Sequence, residues 1–552
     1  MKRQWWTLAV VSAATFMLLL DVTIVVVALP DIQHELDASF SALQWTTDAY
    51  ALSLAVLLLT AGSLADQYGR RRLFLIGLTV FTAGSLLCGV AQDQAMLIGS
   101  RAIQGIGGAI LFATSLALLA STFRGRDRGT AFGVWGAVAG VATALGPVFG
   151  GLITSGISWR GIFLVNLPIG IAAIVATLRS VDESRAPRAS RIDWPGVLTL
   201  TLGLFSLVYA LIRASDTTWG EQGVILCFVL AALFLAAFGV VESRVAEPMF
   251  DLSLLRTPTF LGGSIAAFTM NASLFAMFLY IVLYLQNALG YSPMETGLRL
   301  LVSSGATLVA AMAAGRLMSR LPTRWLIGPG LILVGIGLIL MRGVDAGSHW
   351  THLIPGFIVS GFGAGMVNPP LASTAIGVVP VQRAGMASGV NQTFRQVGIA
   401  VGIALYGSIF TSSLHSSLTD RLSGAGVPVD PIAAAVRTGD PGGAVAAAPE
   451  QLRAQVGDAI QASFAAALND LLLTSGVLAV VGGTLALALI RAKDFVAPQP
   501  PPGGPGGPGG PGGPAGPGAP GGPRGDGGAG GATVPGQATP DKSTTAPAPN
   551  PR

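Results

Sequence analysis

Long apolar runs separated by short polar gaps make up most of the chain. The runs lie at 8–30, 44–64, 73–91, 95–119, 130–154 and 162–179, then at 195–212 and 222–241. A further set follows at 258–285, 294–315, 325–341, 351–373, 384–410 and 468–490. Each approaches the ~20 residues a helix needs to cross hydrocarbon. Barrel strands would be half as long and would alternate polar with apolar positions. The pattern predicts an all-α polytopic membrane protein with about fourteen transmembrane helices. Lys2 and Arg3 ahead of the first run resemble the head of a signal peptide. That run is of full spanning length and no clear small-residue cleavage site ends it, so it reads as a retained first span.

The gaps fix an expected orientation. Arginine clusters at Arg70–Arg72, Arg124/Arg126/Arg128, Arg179/Arg185/Arg188/Arg191, Arg244/Arg256 and Arg316/Arg320/Arg324. These alternate with gaps holding at most one basic residue, such as Arg160, Arg213 or Arg342, and the gap 31–43 has none. The positive-inside rule places the arginine-rich gaps and both termini in the cytoplasm, with the protein in the plasma membrane. Residues 411–467 read as a long outside loop, with a helical stretch near Gln451–Ala467. Residues 496–552 read as a disordered cytoplasmic tail rich in Pro and Gly.

An internal repeat divides the chain. GSLADQYGRRR begins at Gly62 and a worn copy, GRLMSRLPTRW, at Gly315. Gly-x-Ala-x-Gly follows 67 residues later in the first case and 70 in the second. The expected organisation is therefore an N-terminal six-helix half (1–180) and two inserted helices with linkers (181–257). A C-terminal six-helix half (258–495, including loop 411–467) and the tail (496–552) complete it. Paired halves with a site between them are a common transporter plan.

Composition excludes several classes. Only 11% of residues are charged, against roughly 25% in a soluble domain. The net charge of +5 is spread over the gaps between spans, so no nucleic-acid partner is expected. Lysine occurs only at positions 2, 493 and 542, which leaves no Walker-type phosphate loop. Cys88 and Cys227 lie inside apolar runs and act as small hydrophobes. His349 and His352 lack a carboxylate or cysteine partner, so no metal is expected. No cofactor is implied, and no nucleophile–base pair suggests an enzyme.

The chemistry-bearing residues are the polar ones inside apolar runs. Asp21 sits near the middle of the first run, where an ionised side chain costs ~2.5 kcal/mol or more. Asp48, about one turn into the second helix, is a second proton candidate; it could be wet, or serve as a plain charge at a helix end. Arg101 lies two turns into the fourth helix, with Gln104, Gly105 and Gly108 on the same face. A buried guanidinium there must face the bundle and be partnered, for instance as a clamp on backbone carbonyls. Gly62, Asp66, Gly69, Arg70 and Arg71 form a turn between the second and third helices; its arginines either set topology alone or work with Asp66. In the fifth helix, Gly136/Gly140 and Gly146/Gly150 are spaced for close packing, and Gly146-Pro147 predicts a bend. Gly151 follows. In the second half, Asn271 and Phe275 in a Met- and aromatic-rich helix, and Asn391 and Arg395 in the thirteenth, are candidate cavity residues together with Gln104.

Five segments carry a family resemblance: LDVTIVVVALPDI (Leu20–Ile32), GSLADQYGRRR (Gly62–Arg72), RAIQGIGGA (Arg101–Ala109), ALGPVFGG (Ala144–Gly151) and WRGIFLVNLPIG (Trp159–Gly170). In that order the chain resembles the major facilitator superfamily, specifically its fourteen-helix drug:proton antiporters. The resemblance implies a conformational latch at Gly62–Arg71 and a proton-relay role for Arg101. It also implies antiport rather than symport from Gly146, Pro147, Gly150 and Gly151. A monomer is implied too, exchanging protons for hydrophobic or amphipathic small molecules across the lipid bilayer. An exporter of an endogenous metabolite or lipid, and a proton-coupled uptake symporter, are the competing readings.

Overall fold

A computed structural model describes residues 3–123, 125–185, 193–318, 320–379, 384–423, 427–437 and 441–495. The Pro/Gly tail lies outside the described residues. Among those described there are helices, turns and coil but no strand. In chain order the long helices are α1 (Arg3–Glu35), α2 (Phe40–Tyr68), α3 (Arg70–Gly89), α4 (Gln94–Thr122) and α5 (Gly125–Gly156). Next come α6 (Gly161–Ser180), α7 (Trp194–Asp216), α8 (Gln222–Arg244), α9 (Pro258–Ala288) and α10 (Pro293–Leu317). α11 (Arg324–Leu340), α12 (Ile354–Gly377), α13 (Ala384–Leu422) and α14 (Arg453–Leu489) complete the set.

Eleven described helices are long and apolar enough to cross a membrane, or twelve if the two bent arms of α5 count as one span. α11 is apolar but has only 17 residues. Polar residues punctuate the starts. Ser39, Asp93 and Asp193 accept from backbone N–H groups three residues ahead at the N-termini of α2, α4 and α7. Ser292 and Glu295 form a capping box on α10. α8 has a mean hydropathy of 3.0 over its most apolar window, yet only 17% of that window is buried by protein. A surface so apolar is stable only against lipid.

Two segments depart from the sequence reading. Loop 411–467 is largely helical: α13 continues to Leu422, α14 begins at Arg453, and short helices Val429–Arg437 and Pro441–Ala447 lie between them. Ile432, Val436, Ile460 and Phe464 bury their side chains in the same core as α9 and α13. Apolar spacing inside an Ala- and Gly-rich stretch was too sparse to show this amphipathic packing. Within α5, Gly136 and Gly140 have no neighbouring atom within 4 Å of a built Cβ, so they form no packing face. The bend is present: the two arms of α5 meet at 44° between Thr143 and Leu145. Pro147 has no N–H to give the Thr143 carbonyl, which accounts for its position.

Helix packing places the site. α1 lies on α5 and α6, and α4 on both α2 and α3. α12 lies on α10 and α11, and α11 on α14. The pair α7–α8 packs through α7 against α2 and α13. The broadest contacts between the halves are α5 with α10 and α2 with α13. The loops after α1, α3, α5 and α9 share what we name the outer end, following the arginine placement. There the halves touch closely. A Cβ on Gly151 would stand 2.5 Å from the Pro293 carbonyl oxygen, and Met294 N–H donates to Ser155 Oγ at 3.0 Å. Gln286 Nε2 donates to the Val27 carbonyl at 2.9 Å.

Candidate functional site

Five helices converge on Asp21. Gly105 of α4 lets that helix lie so near α2 that an added Cβ would come 2.6 Å from the Tyr50 carbonyl oxygen. Gly84 of α3 does the same against the Gln104 backbone, at 2.9 Å. This close approach delivers Arg101 and Gln104 to the α1 carboxylate. Arg101 Nη1 donates to Asp21 Oδ2 at 2.7 Å, and Gln104 Nε2 to Asp21 Oδ1 at 2.8 Å. Asn166 Nδ2 of α6 donates to the same Oδ1 at 3.0 Å. Asp21 and Arg101 are 0% and 1% exposed.

Further hydrogen bonds surround this pair. Arg101 Nε donates to the Thr46 carbonyl at 3.1 Å and Nη1 to Gln104 Oε1 at 2.6 Å. Ser85 Oγ accepts from Gln104 Nε2 at 2.8 Å and from Asn166 Nδ2 at 3.3 Å. The guanidinium lies 4.3 Å over the Tyr50 ring. A buried ion pair offsets its desolvation only with such extra hydrogen bonds. Neutralising the carboxyl removes the charge that holds Arg101 and leaves the guanidinium buried without its counter-ion.

Sequence reading found Asp21 and Arg101 and placed Gln104 both beside Arg101 and among the cavity residues; both ends of its amide are spent in the Asp21 cluster. Asn166 was missed, although a lone amide inside WRGIFLVNLPIG is the same kind of signal as Asp21. Ser85 and Thr46 gave no signal, since one contributes a common hydroxyl and the other only a backbone oxygen.

Asp48 is not wet. α2 begins at Phe40, which puts Asp48 beyond two turns, and it is 0% exposed. Neither of its oxygens has a hydrogen-bond partner. It lies one turn from Gln44, whose Nε2 donates to the Tyr280 hydroxyl of α9 at 3.4 Å. Tyr280 in turn donates to the Ile403 carbonyl of α13. Phe40 and Phe410 stack beside it at 5.4 Å. Asp48 thus sits on the face of α2 turned to the second half, and Tyr50 on the face turned to Arg101.

The α2–α3 turn is held from a direction the sequence did not suggest. Gly69 has φ of +112°, a conformation that disfavours a side chain. The Arg71 and Arg72 amides donate to the two oxygens of Glu183 at 3.1 and 3.3 Å. Arg70 N–H donates to the Ser184 carbonyl at 2.9 Å, and Arg71 Nη2 to the Leu178 carbonyl at 2.7 Å. Glu183, beyond α6, is the anion at the start of α3. The side chain of Asp66 lies outside the described residues, and Gly62 faces open space. Gly146 and Gly150 press against Thr23 and Ile24 of α1, while Gly151 and Pro147 meet α10.

The second-half candidates divide. Asn271 opens a π-helical turn of α9 and donates to its own helix, at the Ala267 carbonyl, 2.8 Å away. Phe275 packs edge-on against Phe278, with ring centroids 6.1 Å apart. Asn391 and Arg395 come together on α13, and Asn368 of α12 joins them: Arg395 Nη1 donates to Asn368 Oδ1 at 2.9 Å.

Residues 11–403 match the family described as the Major Facilitator Superfamily. The chain belongs to that superfamily. Within it, the chain is 37% identical over 432 residues to the multidrug resistance protein Stp of Mycobacterium tuberculosis, covering 78% of this chain and 80% of that one. It is 33% identical over 497 residues to the tetracenomycin C resistance and export protein of Streptomyces glaucescens, covering 89% and 92%. It is also 36% identical over 433 residues to the puromycin resistance protein pur8 of Streptomyces alboniger, covering 78% and 86%. Its fold resembles that of a bacterial homolog to the human lysosomal transporter Spinster in an inward-facing, unoccupied conformation. That match has TM-score 0.60 and 16% identity, and covers 90% of this chain and 99% of that one.

Proposed function

We propose that this protein is a proton-coupled secondary exporter of hydrophobic or amphipathic small molecules, working by alternating access. The observation that carries the reading is the dry Asp21–Arg101 pair, built from five helices of a multi-pass major facilitator bundle. A proton reaching Asp21 removes the charge that pins Arg101 against α1. One unit of pH corresponds to 1.36 kcal/mol at such a group, enough to bias two arrangements whose energies lie close together.

The two halves, 1–180 and 258–495, rock about the substrate, and α7–α8 with its linkers (181–257) is an insertion beside them. Contacts through Gly151, Ser155, Gln286 and the Gln44–Tyr280 pair close the outer end. On the inner arm of α5, Gly136 and Gly140 face open space. Asp48 is buried with no donor to either oxygen, an arrangement in which an ionised carboxylate is costly. The turn at Gly69–Arg72 latches one orientation. The protein acts as a monomer in the plasma membrane with both termini cytoplasmic. The named tetracenomycin C exporter favours a second reading of the same machine, export of an endogenous product.

Purified protein in liposomes tests this. An imposed proton gradient should drive substrate against the direction of proton flow, and a protonophore should stop it. Uptake in the same direction as protons would establish a symporter and refute the exporter.

A further inference from the structure

Arg395 differs from Arg101 in one respect. Among the described residues no carboxylate lies within ion-pair distance of it, whereas Arg101 touches Asp21. Its recorded partners are amide oxygens: Asn368 Oδ1 at 2.9 Å from Nη1 and Asn391 Oδ1 at 3.4 Å from Nε. Guanidinium only donates, so the Asn391 oxygen must face it and Nδ2 must turn away. That Nδ2 is buried and has no acceptor. The cluster therefore holds a permanent positive charge and a spare buried donor.

The surroundings locate it. α13 packs against α2, α7, α9, α12 and α14, so it is walled by helices on all sides. Arg395 nevertheless stays only half-buried. Exposed surface on such a helix borders an internal space rather than lipid. A charge kept there without a counter-ion marks a pathway or ligand site, and the planar fork of arginine suits carboxylate-like acceptors.

We propose that Arg395, with Asn391 and Asn368, recognises an acidic or acceptor-bearing group on the substrate. The protein then favours amphiphiles carrying a carboxylate, enolate or phenolate over permanent cations. This rests on the exporter reading for its direction, but not for its binding. A quaternary ammonium would bring a like charge and no acceptor to the cluster. An oxyanion satisfies both Arg395 and the Asn391 Nδ2.

Fluorescein and rhodamine 6G share a ring system and differ in charge, which makes them a matched test. Full-length protein in liposomes should transport fluorescein faster than rhodamine 6G under a proton gradient. Arg395→Gln should cut fluorescein transport and equilibrium binding by about tenfold, the factor set by 1.4 kcal/mol, while leaving rhodamine 6G unchanged or faster. Arg395→Lys should restore part of the fluorescein signal. Equal losses for both dyes in Arg395→Gln would make the residue a structural clamp and overturn the proposal. So would a wild-type protein that prefers the cation. If neither dye moves but fluorescein binding still depends on Arg395, the proposal stands and the exporter reading fails. If binding is also indifferent to Arg395, the proposal fails.

Discussion

Asp21 of α1 and Arg101 of α4 lie 2.7 Å apart across 80 residues of sequence, with 0% and 1% of their side chains exposed. Breaking a buried pair by removing one partner costs ~3–5 kcal/mol, because the other charge stays buried and alone. Arg101→Ala is therefore expected to lower the melting temperature in detergent strongly. Asp21→Asn keeps the shape and can still accept from Arg101, so it should fold but lose proton-driven export. The double variant Asp21→Asn/Arg101→Gln should regain much of the melting temperature lost in Arg101→Ala without regaining coupling. Uphill export by Asp21→Asn would show that this carboxyl does not carry the proton.

Asp48 predicts the opposite balance. Neither oxygen has a partner, so the folded arrangement loses no hydrogen bond when the acid is replaced. Asp48→Asn should melt within ~1 kcal/mol of the wild type, the size of one ordinary hydrogen bond. If Asp48 takes up and releases a proton in each cycle, the same variant should flatten the dependence of export rate on pH. Unchanged pH dependence, with normal expression, would leave Asp48 a structural acid only.

Glu183 gives a prediction about the α2–α3 turn. Its two oxygens accept the Arg71 and Arg72 amides at the start of α3, and an anion at a helix N-terminus is worth roughly 0.3–1 kcal/mol. Glu183→Gln keeps one acceptor and should slow turnover mildly. Gly69→Ala should be worse, because φ is +112° and the new methyl would stand 2.7 Å from Glu183 Oε1. Turnover in liposomes at saturating gradient orders the two variants. Equal effects would mean the turn is not strained in the working cycle.

These cases show what the sequence could reveal. Asp21 and Arg101 were legible because each is a charge in an apolar run, and such a charge must find a partner wherever the chain folds. Which partner was not legible: Asp21, Arg101 and Asn166 come from three separate helices, and only their packing joins them. Asp48 was misplaced toward water because apolarity alone put the start of α2 four residues late, at 44 rather than Phe40. Glu183 was hidden in a charged linker, where an acid is unremarkable until a helix end meets it. The outer helices Val429–Arg437 and Pro441–Ala447 are too short to stand out by composition.

Asp193 and Glu242 pose the last question, since neither stands in the middle of an apolar run. Asp193 caps α7 and Glu242 closes α8, and the two are 5% and 4% exposed. Asp193 Oδ2 and Glu242 Oε1 have no donor, yet the two acids lie within hydrogen-bonding reach of each other. Two carboxyls so placed cannot both be ionised cheaply, and burial, with the Asp193 carboxyl beside it, pushes the Glu242 carboxyl up to about 7. Glu242 Oε2 also accepts the Phe250 amide at 3.1 Å, tying the linker after α8 to this end of the hairpin. Glu242→Gln supplies the missing donor to Asp193 and keeps an acceptor for Phe250. It should hold or raise the melting temperature, and the fall in stability with rising pH should shrink. Glu242→Ala strands the Phe250 amide and should cost ~1–3 kcal/mol. A melting temperature that falls equally in both variants would mean that Glu242 acts through its charge, not as a neutral acid.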